Sequence, residues 1–206
     1  MVYTLALALS IAAADGKPFM RYPSIHGDQI LFTSEADLWL GNLKTGEAKR
    51  ITSDAGNERH GTFSPDGTKI AFEAEYDGQR QAYVMPVVGG PPKKITSVEN
   101  FRTVTGWTPD GEKVLVRYIH EPTAYAQGLV SAKGGIVQDL PLEFASHVSF
   151  GPDKDHYVFT RFLHTYAAWF RYIGGLQNQI WIHEPVKGKE FRQITNIEGT
   201  NEFPVW

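Results

Sequence analysis

No cysteine occurs in the 206 residues, so disulfides and thiolate chemistry are both absent. The redox compartment stays open, because exported proteins also dispense with cysteine. Neither sign of charge is in excess: 20 Lys and Arg face 23 Asp and Glu, with a net charge of −3 and a pI near 6.2. No basic stripe results, and nucleic acid is not an expected partner. There is no Gly-x-Ser-x-Gly elbow and no serine that stands out as a nucleophile, although the members of a triad need only meet in space. The seven histidines, at 26, 60, 120, 147, 156, 164 and 183, never take His-x-x-x-His spacing. No metal, cofactor or catalytic residue is therefore expected in this chain. A long apolar run is also missing: Met1 to Ala14 is almost wholly apolar but too short to cross a bilayer.

That leading run reads as a signal peptide over residues 1–16, with Ala12-Ala13-Ala14 as a small-residue cleavage site, although no Lys or Arg precedes Lys17. The expected location is periplasmic or secreted. The alternative is a buried N-terminal strand, since Val2 to Leu9 also suits one, in a cytoplasmic protein.

What is present is a repeat. Apolar residues make up 42% of the chain and aromatic ones 13%, enough for a packed core, while 20 Gly and 12 Pro are spread as punctuation. The clearest unit runs from Phe63-Ser64-Pro65-Asp66-Gly67 through strand-like Lys69 to Glu75, a turn at Tyr76-Asp77-Gly78, and a second run from Ala82 to Val88. Gly89-Gly90 and Lys94-Ile95-Thr96 complete it. In the Pro-Asp-Gly turn, proline presets φ and glycine accepts a positive φ. The glycine after the third strand recurs as Gly46, Gly90, Gly135 and Gly188. Seven positions before each stand Trp39, Tyr83, Gly128 and Trp181.

A period of about 40–45 residues with four strands per unit is the signature of a β-propeller. The expectation is an all-β fold of about four four-stranded antiparallel blades, at 20–52, 60–96, 104–141 and 147–195. Residues 201–206 would begin a fifth, so that 17–206 forms part of a six-bladed propeller. Trp39, Tyr83 and Trp181 are expected to pack between blades, and Ser64 to serve its turn. Asp37, Gln81 and Gln179 are expected to bond neighbouring turns, since no paired carboxylates for acid–base work are visible.

The turns at 64–67 and 108–111, with Gly-Gly at 89–90 and 134–135, resemble the WD40-like repeat of TolB-type propellers. Met20-Arg21-Tyr22-Pro23-Ser24-Ile25-His26-Gly27-Asp28 followed by Glu35-Ala36-Asp37-Leu38-Trp39 resembles the opening of bacterial tricorn protease homologues. Residues 106–111, 170–175, 180–182 and 199–206 are similar to the same family's first propeller, whereas Phe170 and Gln179 replace a basic and an acidic residue typical of its fourth blade. The resemblance covers Met20 to Trp206. It implies the non-catalytic N-terminal propeller of a large serine peptidase that degrades oligopeptides, acting as a peptide-gating channel or domain scaffold. The implied partners are the remaining domains of the parent and its peptides, with homo-oligomers a further possibility. The alternatives are a TolB-like periplasmic protein-binding propeller, or the propeller of a prolyl-oligopeptidase-type enzyme. Only the fourth unit carries an insertion, about ten residues long, and loops that break a scaffold's regularity tend to carry function. Its Trp169, Arg171 and Tyr172 are the candidates for contact with a peptide or a neighbouring domain.

Overall fold

The structure, a computed structural model, describes residues 19–121, 124–162, 177–185 and 190–206. Residues 1–16, read from sequence as a signal peptide, lie outside the described residues, as do Trp169, Arg171 and Tyr172. Among the described residues there is no helix. The chain forms four sheets, each of four antiparallel strands in sequence order. The first holds β1 (Arg21–His26), β2 (Gln29–Ser34), β3 (Asp37–Asn42) and β4 (Ala48–Arg50). The second holds β5 (Glu58–Phe63), β6 (Lys69–Ala74), β7 (Gln81–Pro86) and β8 (Lys93–Lys94). The third holds β9 (Phe101–Trp107), β10 (Lys113–Glu121), β11 (Ala124–Ser131) and β12 (Gln138–Asp139). The fourth holds β13 (His147–Phe150), β14 (Tyr157–Thr160), β15 (Trp181–His183) and β16 (Phe191–Gln193). These are the blades of a β-propeller, with β1, β5, β9 and β13 innermost and packed one after another.

Each blade is apolar on both faces, and alternation along a strand decides which neighbour each side chain meets. Leu31, Leu38 and Leu40 of the first blade meet Phe63, Ile70, Phe72, Tyr83 and Met85 of the second. From the opposite face of the second, Ala71, Ala82 and Val84 meet Val104, Trp107, Val114, Val116 and Val130 of the third. Leu115 and Leu140 then join Val148, Tyr157 and Phe159 of the fourth. Leu31, Leu38, Ile70 and Phe72 are completely buried. Burying such a side chain is worth roughly 1.5–3 kcal/mol, so stability resides mainly at the joints between blades.

The Pro-Asp-Gly turns fold as their residues dictate. Asp66 Oδ1 accepts from Ser64 Oγ (2.6 Å) and from the Thr68 amide (3.0 Å), and Ser64 Oγ accepts from the Lys69 amide (3.0 Å). Thr108 and Asp110 repeat the arrangement in the third blade. Ser64 is thus a buried structural hydroxyl, as its repeat position implies. Residues 201–206 form no ladder, because an inner strand pairs with the second strand of its own blade and no described residue supplies one here. They lie along the fourth blade instead: the Trp206 amide donates to Ser149 Oγ (3.1 Å), and the Trp206 ring covers Gly151, where a Cβ would come within 2.8 Å of it.

Candidate functional site: inner strands, joints and inter-blade grooves

Left-handed backbone occurs on the inner strands as well as at Glu35, Ala36 and Asn100 between strands. Register breaks between Arg21 and Ser24 in β1, and between Arg59 and Thr62 in β5, mark bulges at equivalent places. At those bulges Tyr22 (φ 53°) and His60 (φ 50°) take a left-handed conformation, and Phe203 (φ 55°), at the matching place in 201–206, does the same. Such a conformation costs on the order of 1–2 kcal/mol in a residue that has a Cβ, and bulges re-aim side chains. Here they bring rings of adjacent segments together. Tyr22 lies 3.8 Å from His60, and His147 lies 4.4 Å from Phe203, centroid to centroid.

Behind His60 stands a charged relay that sequence reading missed. His60 Nδ1 is 3.0 Å from Glu73 Oε1, and Glu73 is buried. Arg80 lies 3.8 Å from the same oxygen and donates to Glu75 Oε1 through Nη2 (2.8 Å) and Nε (3.1 Å). The hydrogen bonds from Arg80 hold the Glu75 carboxyl below its ordinary range. The one available signal was a pair of acids two apart, Glu73 on β6 and Glu75 just past its end, ahead of a turn that leads to Arg80.

At the joints a threonine and its partner recur. Thr96 Oγ1 donates to Gln81 Oε1 (2.7 Å) and accepts from the Ala82 amide (2.9 Å), while Gln81 Nε2 donates to the Val98 carbonyl (2.9 Å). Thr195 and Gln179 repeat this, with Gln179 Nε2 donating to the carbonyls of Ile197 and Gly199. The expected turn-bonding role of Gln81 and Gln179 is what the geometry gives. Asp37 behaves differently: its Oδ2 pairs with Arg50 Nε (3.0 Å), and Thr52 Oγ1 donates to Glu58 Oε2 (3.0 Å). The expectation that no carboxylates pair is corrected here, since folding packs Glu58 against Asp37 from 21 residues away. Burial pushes the Glu58 carboxyl up to about 7. Burial likewise raises the Tyr76 hydroxyl beside it.

Tyr83 packs into the joint between the first two blades, and Trp181 into that between the last two. Trp39 stacks on Phe32 (6.5 Å) on the first blade's other face. Grooves recur between successive blades at equivalent places. The first is lined by Thr52, Asp54 and Tyr76, and the second by Thr96, Tyr118 and Asp139. The third, of about 330 Å³, is lined by Leu142, Phe144, Phe159, Arg161, Trp181 and Phe191. Only the third combines several aromatic rings with an arginine, and Arg161 stands just ahead of the fourth-blade insertion in sequence. Its guanidinium sits 5.9 Å from the Trp181 ring and 3.7 Å from Glu143.

The four-bladed arrangement, the inner-strand bulges and the repeated joints are matched by sequence. Residues 17–206 match the family described as the tricorn protease N-terminal beta propeller domain. The chain belongs to that family. This tricorn-type propeller is 34% identical over 193 residues to tricorn protease homolog 1 of Streptomyces coelicolor, covering 91% of the present chain and 18% of that relative. The crystal structure of the tricorn protease superimposes with a TM-score of 0.70 at 28% identity, over 89% of this chain and 19% of that one. A TolB-like protein from Agrobacterium tumefaciens superimposes with a TM-score of 0.68 at 20% identity, over 87% and 63%, a likeness of fold alone. The chain therefore spans about a fifth of the length of these two tricorn proteins.

Proposed function

We propose that this chain is the non-catalytic N-terminal propeller part of a tricorn-like serine peptidase that degrades oligopeptides, and that it forms a gating channel or scaffold for peptides. The observation that carries this reading is the family match, which runs through all four blades. The third groove supports a peptide-contact role, because aromatic walls with an Arg161–Glu143 pair at the rim suit an extended chain of mixed side chains. Trp169, Arg171 and Tyr172 follow Arg161 in sequence and are proposed to contact the peptide or a neighbouring domain. Two measurements test this. The purified chain should show no turnover of mixed oligopeptides that a serine-directed inhibitor abolishes; such turnover would overturn the non-catalytic assignment. In the full-length peptidase, replacing Trp169, Arg171 and Tyr172 by alanine should raise KM for long peptides severalfold. An unchanged KM at every peptide length would remove these residues from the path.

The coding sequence beyond Trp206 separates the rival readings: a PDZ and serine-peptidase region, a stop soon after the propeller closes, or an α/β-hydrolase domain. We also propose export. Expression in a bacterial host should give a periplasmic product starting near Asp15. An intact Met1 in the cytoplasmic fraction, detected by mass spectrometry, would reverse that.

A further inference from the structure

The joints between blades solve one packing problem in different ways, and the first solution needs a proton. After the fourth blade, the Asn201 amide donates to the Asn178 carbonyl (2.9 Å), and Asn201 Nδ2 donates to Gln179 Oε1 (3.2 Å). Between the third and fourth, the Ala145 amide donates to the Tyr125 carbonyl (2.9 Å), which places Ala145 opposite Ala126. Between the first and second, the Glu58 amide donates to the Ala36 carbonyl (2.8 Å), so Glu58 stands where Asn201 stands and Asp37 where Gln179 does. One joint thus holds two amides, one holds two alanines, and one holds two carboxyl groups.

Amides bring a permanent donor and alanines need none, but two carboxylates offer only acceptors. Glu58 is fully buried and Asp37 nearly so. The outer oxygen of each has a donor, Arg50 Nε on Asp37 Oδ2 and Thr52 Oγ1 on Glu58 Oε2. The two remaining oxygens, Asp37 Oδ1 and Glu58 Oε1, are buried with no well-aligned donor, as is the hydroxyl of Tyr76. Leaving such atoms unsatisfied is costly, and one proton placed between the carboxyls removes the cost for both.

We infer that Asp37 and Glu58 share a single proton, carried on Glu58, which fastens the first blade to the second, so that this joint is tight in acid and loosens as the pH rises. The Arg50 guanidinium lies on the Asp37 side of the pair, which leaves Glu58 as the proton's carrier. The elevated pKa of Glu58 agrees: burial raises it first, the nearby Tyr76 hydroxyl and the hydrogen bond from Thr52 oppose the rise, and Asp37 adds to it. The other charged or titratable groups around the joint are Asp54, whose charge reaches Tyr76, Tyr83 packed on Tyr76 at 4.7 Å, and the Glu75–Arg80 pair on the far side of the Tyr76 loop. Glu75 is depressed, so it titrates below the window in which Glu58 acts.

The sign follows from proton counting. Between the unfolded value of 4.5 and about 7, the folded chain holds a proton that the unfolded chain has released, so the stabilisation is full below 4.5 and is lost as pH rises through about 7. Glu58→Gln installs the permanent amide donor used at the fourth joint. Thermal melting of wild type and Glu58→Gln should give a gap, in favour of the variant, that widens by roughly 5–10 °C between pH 5 and pH 8. A gap that stays constant over that range overturns the inference. So does a wild-type melting temperature at pH 8 that calcium or magnesium restores, which would assign the orphaned oxygens to a cation. Should Glu58→Gln fail to fold, infrared spectroscopy of the wild type decides: a protonated-carboxyl carbonyl band present at pH 6 and lost by pH 9 supports the shared proton, and its absence at pH 6 sinks it.

Discussion

Thr52, Thr96 and Thr195 occupy one repeat position, and each hydroxyl does two jobs there, accepting from a strand amide and donating to a side chain, Glu58 of the next blade for Thr52 and Gln81 or Gln179 of its own blade for the other two. Thr96→Val preserves the shape and removes both bonds, leaving the buried Ala82 amide without its acceptor. A loss of about 1–3 kcal/mol is expected, read as a lower urea midpoint with an unchanged slope. The turn aspartates act on the acid side of the pH profile. The hydrogen bond from Ser64 holds Asp66 down at about 2, against an ordinary 3.8, and Asp110 and Asp153 are lowered too. A depressed carboxyl contributes stability that is present above its unfolded value and lost as pH falls through its folded one. Asp66→Asn should therefore flatten the acid limb of a fluorescence-monitored unfolding profile; an unchanged limb would assign it to other groups. Glu58 slopes the other way, which places the stability maximum on the acid side of neutrality.

At the scale of the strand, Gly128 departs from the repeat, standing where other blades have Trp39, Tyr83 and Trp181. The space is already taken, since Val137 would collide with any Cβ at 128 and Tyr118 Cε1 lies 3.4 Å from it. Restoring the repeat with Gly128→Trp should destabilise by roughly 1–3 kcal/mol through overpacking, measurable as a drop in denaturation midpoint. The outer strands tell a different story. β4, β8, β12 and β16 are only two or three residues long and largely exposed, and three of the four carry Lys or Arg. Short, charged edges discourage strand addition.

For the whole molecule, association through faces is the larger hazard. The first blade's outer face holds the half-buried Ile30 and Trp39 with no described blade upon it, and Ile25, Phe203 and Val205 are well exposed. Contiguous apolar patches beyond a few hundred Å² are uncommon on soluble monomers. The isolated chain is expected to associate as its concentration rises; light scattering that finds a monodisperse 23.0 kDa monomer at micromolar concentration would show those faces to be covered.

The sequence by itself determined the blades, because a strand's faces and a turn's φ values are local properties: Pro-Asp-Gly can do little but turn, and consecutive apolar residues such as Ile70, Ala71 and Phe72 form a strand that needs cover on both sides. It also pointed to Gln81 and Gln179 as hydrogen-bond partners of neighbouring turns, since each stands at the same place ahead of its unit's glycine. Only the tertiary structure decided the Asp37–Glu58 pair, the His60–Glu73–Arg80 cluster, the left-handed bulges at Tyr22 and His60, and the left-handed backbone at Phe203. Each joins residues of different strands or blades. The charge state of a carboxyl or the strain of a backbone depends on what burial places beside it, and no spacing along the chain encodes that distance.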